Sequence, residues 1–356
     1  MPASPLWRIA AAVAVAIAAL GAASSAGAAS PNAYVVTPLV SNNGVPGTLP
    51  DPDLQNAWGL GATSTSPWWV ADNGTGKSTL YNGAGGKVPL IVTVGDAPTG
   101  LVANPTNPAT GFKLSNGNPA RFLFDGESGT ISGWNGGTVA EQVLDLSPED
   151  AVFKGLAIAQ TTAGLRLYAT DFHNRRVDVW DGNWQPVNGP FQFFDPTIPS
   201  DYGPFGIQAI GSLVYVTYAQ TQSGSDDEVA GQGKGFVDAF DAATGVLRQK
   251  VAIRGQLNAP WGIAQAPADF GRFSGDLLVG NFGDGTIHAY RPFSNGFIYL
   301  PAGELRNAGD GPIVIDGLWA LEFGNGATAG PTNNLFFTAG PDDEKNGLFG
   351  KITAAP

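Results

Sequence analysis

Short apolar runs alternate along this chain with glycine, asparagine and aspartate. One phrase opens such a run six times, and it reads any residue, then Gly or Ala, then Leu or Ile. Its middle residues are 41, 55, 51, 56 and 58 positions apart. Self-similarity at such intervals indicates a repeat architecture. The six copies are Trp58–Leu60, Thr99–Leu101, Lys154–Leu156, Phe205–Ile207, Trp261–Ile263 and Trp319–Leu321.

A second pattern accompanies the phrase. In four repeats a polar residue ends the second apolar run, nine positions before a Tyr or Trp. Short runs rich in Val, Ile, Leu, Phe and Tyr, separated by Gly and Asn, are typical of antiparallel hairpins. Several short strands and one motif in each unit of about 40 to 55 residues describe a propeller blade. The sequence therefore predicts an all-β fold, a six-bladed β-propeller. The four polar residues are Asp72, Asp125, Asp171 and Asn281.

The two ends of the repeat pattern predict how the ring closes. Residues 34–40 form an apolar strand that precedes the first phrase and belongs to no complete blade. The last repeat supplies only three strands, within residues 318–353. We expect the amino-terminal strand to complete the last blade, because that pairing removes two free sheet edges.

The first residues differ from the rest of the chain. Arg8 is their one charge, Ile9 to Leu20 is a short apolar run, and Ala26-Gly27-Ala28 offers small residues for cleavage. This pattern is typical of a secretory signal peptide, and its core is too short to span a bilayer. We expect residues 1–28 to be a cleaved signal peptide and residues 31–356 to form a single propeller domain. The mature protein would be secreted or periplasmic.

Composition narrows the class of partner. The chain has no cysteine, so a disulfide framework and a thiolate metal site are excluded. Its net charge of -12 argues against nucleic acid as a partner, since an acidic surface repels phosphates. The acidity suits either solubility outside the cell or the binding of cations. We expect a monomer with no membrane span in the mature chain.

Polar residues converge on one face of the predicted disc. Strands alternate in direction within a blade, so the start of the first strand and the end of the second lie at the same mouth of the channel. Carboxylate oxygens from several loops are what Ca²⁺ requires, and crowded carboxylates acquire raised pKa values that suit acid or base work. The alternative is that each Asp or Asn caps its own turn. The predicted rim consists of Asp72, Asp125, Asp171, Asn281, Asp96, Asn258 and Asp316, and the first four are the candidate Ca²⁺ ligands.

A few further residues are candidates for catalysis or for cation binding. His173 follows Asp171 closely and could act as a base beside it, so these two are the candidate catalytic residues; a surface histidine is the alternative. An insertion in blade four carries Asp226, Asp227 and Glu228, which could bind a cation, cover the mouth or simply be solvated. No nucleophile elbow, zinc-protease helix or phosphate loop is present. The tryptophans of the repeated phrase are expected to pack between blades.

Several longer phrases resemble a known family. Residues 227–231, 235–241, 280–285 and 55–60 are similar to segments of an uncharacterised family of exported bacterial six-bladed propeller proteins. That resemblance implies the fold and export, but no established activity. A more distant likeness links the repeats to NHL-type propellers and to the calcium-dependent gluconolactonase group. The metal-binding Glu that this group carries in blade one has no counterpart here.

Three functions remain open from the sequence. The first is a ligand- or partner-binding scaffold that uses the channel-mouth face to hold a small molecule, a glycan or a protein. The second is a Ca²⁺-dependent, lactonase-like hydrolase at the same face. The third is a structural component of an envelope or matrix. The sequence leaves open whether the protein is an enzyme, and Ca²⁺ is the one cofactor that its residues suggest.

Overall fold

The structure is a computed structural model that describes residues 30–95, 97–106, 108–187, 192–293 and 298–355. The expected signal peptide, residues 1–28, and the rim residue Asp96 lie outside the described residues. From Pro31 onward the chain forms one compact unit. The described part contains no helix with the length and apolar character that crossing a bilayer requires.

Six sheets follow one another along the chain, and each sheet is one blade. The chain begins with β1 (Tyr34–Ser41) and β2 (Leu49–Pro50). Blade one consists of β3 (Ala57–Gly61), β4 (Trp68–Asp72), β5 (Lys77–Tyr81) and β6 (Lys87–Thr93), and blade two of β7 (Pro98–Ala103), β8 (Phe122–Gly126), β9 (Thr130–Trp134) and β10 (Glu141–Asp145). Blade three consists of β11 (Phe153–Thr161), β12 (Gly164–Asp171) and β13 (Arg176–Asp181), and blade four of β14 (Tyr202–Ile210), β15 (Leu213–Gln220), β16 (Phe236–Asp241) and β17 (Leu247–Ile253). Blade five consists of β18 (Pro260–Gln265), β19 (Leu277–Asn281), β20 (Ile287–Phe293) and β21 (Ile298–Glu304), and blade six of β22 (Leu318–Phe323), β23 (Leu335–Ala339) and β24 (Leu348–Ala354) with β1. Three short 3₁₀ helices lie at Asn73–Thr75, Ser147–Glu149 and Gly271–Phe273.

The ring closes as the sequence predicts. The first strands of consecutive blades contact one another in series, and β22 of the last blade contacts β3 of the first. Strand β1 pairs antiparallel with β24, and Tyr34 lies opposite Ala354. The Tyr34 side chain is 1% exposed, and its hydroxyl donates a hydrogen bond to the carbonyl of Phe270. The six-bladed all-β propeller, completed by its amino-terminal strand, is confirmed.

The repeated phrase marks a β-bulge in the innermost strand of every blade. The pairing register shifts by one residue across each phrase, for example between Ala57 and Leu60. Neighbouring inner strands approach closely at this point. A Cβ atom on Gly262 would lie 2.5 Å from the carbonyl oxygen of Trp319 in the next blade. The phrase therefore needs a glycine at Gly262, because the next blade occupies the space that even a Cβ atom would fill.

Aromatic side chains close the centre of the disc at this face. Trp58 of blade one and Trp319 of blade six stack with their ring centroids 3.6 Å apart. Phe282 stacks on the Trp319 ring, with the two ring centroids 4.0 Å apart. Trp261 packs edge-on against the same ring, with the centroids 5.9 Å apart. The three tryptophans are buried. They pack between blades, as expected, and they form the floor on which the polar loops of the mouth rest.

Candidate functional site

A buried lysine lies at the centre of the channel mouth. Lys154 occupies the first position of the phrase in blade three, where three other blades have Trp. Its side chain is 3% exposed, and its Nζ atom donates to Oε1 of Glu127 over 2.6 Å. The same nitrogen lies 5.4 Å from the ring centroid of Trp58. The Lys154 ammonium therefore connects blade three with Glu127 of blade two and with Trp58 of blade one.

Nearby carboxylates keep this lysine charged. Burial acts to lower the pKa of the Lys154 ammonium, but the carboxylates of Glu127, Glu228 and Asp227 outweigh burial and raise it. A lysine that serves as a nucleophile needs a lowered pKa. The environment of Lys154 therefore favours an electrostatic role.

A chain of amides links this ion pair to the other blades. The Nδ2 atom of Asn73 donates to Oε2 of Glu127 over 3.1 Å. The Nδ2 atom of Asn56 donates to Oδ1 of Asn73 over 3.1 Å and to Oε2 of Glu344 over 2.6 Å. The indole of Trp319 donates to Oδ1 of Asn56 over 2.9 Å. Blades one, two, three and six thus share one polar network around the axis.

Two glutamates complete the mouth. Burial raises the pKa of Glu228 to about 7, and the charge of Lys154 partly opposes that rise. Burial also raises the pKa of Glu344, while its hydrogen bond from Asn56 opposes the rise. We name Lys154, Glu127, Asp227, Glu228 and Glu344 the mouth cluster. It sets four carboxylates from three blades against one ammonium.

Most of the predicted rim residues accept hydrogen bonds from backbone N–H groups, mainly those of neighbouring loops. The Oδ1 atom of Asp171 accepts from the backbone N–H groups of Val152 and Asn174. The Oδ1 atom of Asn281 accepts from the N–H of Asn258, and the Oδ1 atom of Asn258 accepts from the N–H of Gly231. These oxygens hold loop backbones in place rather than facing a shared space. Asp316 belongs with them, since it accepts from the N–H of Asp342.

Asp125 differs from the other predicted rim residues. Asp171 lies opposite Phe153 just before the bulge, but the corresponding residue opposite Pro98 in blade two is Gly126. The hairpin of blade two is one residue shorter, so Asp125 points to the other side of its strand. Its Oδ1 atom accepts from the backbone N–H of Gly100 and from the hydroxyl of Thr99. Burial raises its pKa to about 7.

Asp72 lies fully buried in blade one. Neither of its carboxylate oxygens has a hydrogen bond of ordinary geometry among the described residues. Burial raises its pKa well above the usual range; the Thr79 hydroxyl opposes the rise and the charges of Asp51 and Asp53 add to it. Burial therefore favours the neutral carboxyl group, which does not suit a calcium ligand.

The described residues hold no group of three or more His, Cys, Asp or Glu side chains that could bind a metal ion. Asp72, Asp125, Asp171 and Asn281 each have separate surroundings, and the structure does not bring them together. The contacts that these four residues make therefore lend no support to the expected Ca²⁺ site.

His173 pairs across blades with the inserted loop of blade four. Its Nδ1 atom lies 2.6 Å from Oδ1 of Asp226, and the two side chains are 47% and 50% exposed. The Asp226 carboxylate raises the pKa of His173. Asp171 has other hydrogen-bond partners, so the expected pairing of His173 with Asp171 is replaced by one that fastens the inserted loop.

The most central residues were missed by the sequence reasoning, apart from Asp227 and Glu228. A signal for Lys154 was present, because the first positions of the six phrases read Trp, Thr, Lys, Phe, Trp and Trp. A single charge in a buried repeat position is the exception that needs an explanation. Glu127 and Glu344 lie in hairpin loops of different length. The spacing of the repeats does not predict that they join one hydrogen-bond network.

The chain is 34% identical over 333 residues to an uncharacterised protein of Acanthamoeba polyphaga mimivirus, covering 88% of this chain and 78% of that protein. A second uncharacterised protein of the same virus is 32% identical over 339 residues, covering 90% of this chain and 85% of the relative. The chain belongs to the family of these viral proteins. Both relatives are viral, whereas the resemblance drawn from the sequence was to bacterial proteins.

Solved structures support the fold alone. The soluble aldose sugar dehydrogenase of Escherichia coli, in its apo form, superposes with a TM-score of 0.51 at 11% identity. The superposition covers 90% of this chain and 100% of that enzyme. No protein-family model matches the chain.

Proposed function

We propose that the protein is a non-catalytic binding propeller and that the mouth cluster binds a positively charged ligand or partner. The observation that carries this proposal is the convergence of four carboxylates on one buried ammonium at the centre of the disc. Glu127 neutralises Lys154 over 2.6 Å. The remaining carboxylates of Asp227, Glu228 and Glu344 leave an excess of negative charge for a cation to balance.

The chemistry of the cluster favours binding over catalysis. Lys154 has a raised pKa, which makes it a poor nucleophile. His173 is half exposed and fastens a surface loop. No other side chain among the described residues donates a hydrogen bond to Glu228, and burial raises its pKa to about 7. A cation beside Glu228 would supply the partner that this carboxylate lacks.

Isothermal titration calorimetry tests the proposal with four probes: spermidine, L-arginine, glucose and inorganic phosphate. We expect spermidine to bind most tightly, because it carries the most positive charge. Its affinity should fall at least about five-fold in Glu228→Gln, which removes one charge from the cluster. Asp269→Asn is the matched control, since Asp269 is exposed in the loop between β18 and β19, at the opposite end of these strands from the mouth.

The pH dependence sharpens the test. Spermidine binding should strengthen as the pH rises through about 7, because Glu228 becomes ionised over that range. Glu228→Gln should lose most of this dependence. Tighter binding of glucose or phosphate than of spermidine would contradict the proposal, as would equal spermidine affinity in the wild type and in Glu228→Gln.

We also propose that the protein is exported. The apolar run after Arg8 and the small residues Ala26-Gly27-Ala28 support this proposal. Intact-mass measurement of protein produced in a secreting host should find a chain that begins after Ala28. A full-length chain retained in the cytoplasm would contradict export.

A further inference from the structure

The central channel contains a cavity below the aromatic floor, and this cavity is partly open to solvent. Its volume is about 100 Å³, and its lining comes from the inner strands of five blades, β3, β7, β11, β14 and β22. These five strands all surround the central channel, so the cavity lies on the channel axis. Each inner strand pairs with a neighbour on one side only, so its other edge presents unpaired backbone carbonyl and N–H groups to the channel.

One carboxylate faces this cavity. Glu322 is the one titratable side chain among the described lining residues, and Gln208 is the one other polar side chain. Within the described part of the chain the Glu322 carboxylate has no hydrogen-bond or ion-pair partner, and burial alone raises its pKa to about 8. The side chain is partly accessible, which fits its contact with a cavity that is partly open.

Its position in the repeat makes this carboxylate an exception. The residue that follows the apolar end of each phrase lines the cavity in five of the six blades. A carboxylate among small apolar residues is destabilising when it is ionised without a partner. Packing does not explain its presence, whereas a bound cation does. The six residues at this position are Gly61, Val102, Ala157, Gln208, Ala264 and Glu322.

We propose that this cavity binds one alkali-metal ion, Na⁺ or K⁺, between the Glu322 carboxylate, the Gln208 amide oxygen and carbonyl oxygens of the inner strands. A single carboxylate balances a single positive charge, while a divalent ion would leave an uncompensated charge beside the one titratable side chain of the described lining. Hard oxygen donors suit such ions. At about 30 Å³ for each water, the cavity has room for an ion with one or two waters but not for a sugar or a polyamine.

Calorimetric melting of the mature protein at a pH of about 9 tests the site, with NaCl, KCl and choline chloride at equal ionic strength. Glu322 is mostly ionised at that pH. We expect NaCl or KCl to raise the Tm by at least about 3 °C over choline chloride. Glu322→Gln should remove this difference, and the control Asp269→Asn should keep it.

Two outcomes would overturn the proposal. They are an equal Tm in all three salts and a Na⁺ or K⁺ effect that persists in Glu322→Gln. A second measurement needs no variant. Added NaCl or KCl should release protons from the wild type in weakly buffered solution near pH 7, because the ion displaces the proton of Glu322. Proton release no greater than with choline chloride would also overturn it.

Discussion

Buried charged groups have opposite surroundings at the mouth and in the interior of the channel. At the mouth, Lys154 is almost inaccessible, yet Glu127 pairs with it and further carboxylates surround it. Deeper in the channel, Glu322 faces a cavity with no partner among the described residues. A compensated charge holds loops from several blades together. An uncompensated one must stay protonated or recruit a cation.

Opening the ring should disrupt both regions, because the channel mouth and the channel interior depend on ring closure. Deletion of residues 31–42 removes β1, which pairs with β24 along its length and buries Tyr34 and Val40. We expect the deleted protein to lose its cooperative melting transition in calorimetry, the largest effect predicted here. A chain that lacks only residues 1–30 is the control and should melt normally. A protein without residues 31–42 that melts like its parent would contradict the role of β1.

Removing the compensated charge should cause the next largest effect. Lys154→Met leaves Glu127 and its neighbours without a cation, so we expect unfolding in urea to require about 3 kcal/mol less free energy. Lys345→Met is the control, because Lys345 is 68% exposed and should change stability little. A loss as small as that of the control would show that the mouth cluster does not depend on Lys154.

Removing the uncompensated charge should have the opposite sign. The folded-state pKa of Glu322 is raised to about 8, so the wild type loses stability as the pH rises from about 4.5 to 8, where only the unfolded chain ionises freely. In choline chloride at pH about 9, Glu322→Gln should be at least about 1 kcal/mol more stable than the wild type. The two should match at pH about 4, where both states of the wild type are protonated. Equal pH profiles would contradict the assigned burial.

The smallest effect is expected on the surface, at the pair that fastens the inserted loop. His173 has a raised pKa beside Asp226, so its contribution is present below its ordinary pKa of about 6.5 and disappears as the pH rises through the raised value. Both side chains are half exposed, so His173→Asn should lower stability by less than about 1 kcal/mol at acidic pH and by nothing at pH about 9. Melting curves at the two pH values check this, and a loss that is larger at the alkaline pH would contradict it.

The fold was predictable from sequence because one bulge is repeated in every blade. Five of the six phrases carry Gly where the next blade approaches closely, so the phrase returns wherever an inner strand begins. The same regularity gave the pairing of β1 with the last blade, since three strands were left without a fourth.

The site was less predictable because it depends on where the repeat breaks. Asp125 keeps its spacing to Trp134, but the shorter hairpin of blade two turns its side chain away from the rim. Lys154 and Glu322 are single departures from the repeat, and each could have been noticed as a charge in an apolar position. The network that links Glu127 to Glu344 through Asn73 and Asn56 depends on loop conformations that strand periodicity does not specify.

The central claim is that side chains from separate blades act as one cluster at the mouth. A double-mutant cycle on Lys154→Met and Glu127→Gln, measured by urea unfolding, tests it most directly. The 2.6 Å contact between a buried ammonium and its carboxylate predicts a coupling free energy of about 1 to 3 kcal/mol. A coupling below about 0.3 kcal/mol would mean that the two residues act independently, and it would contradict the account.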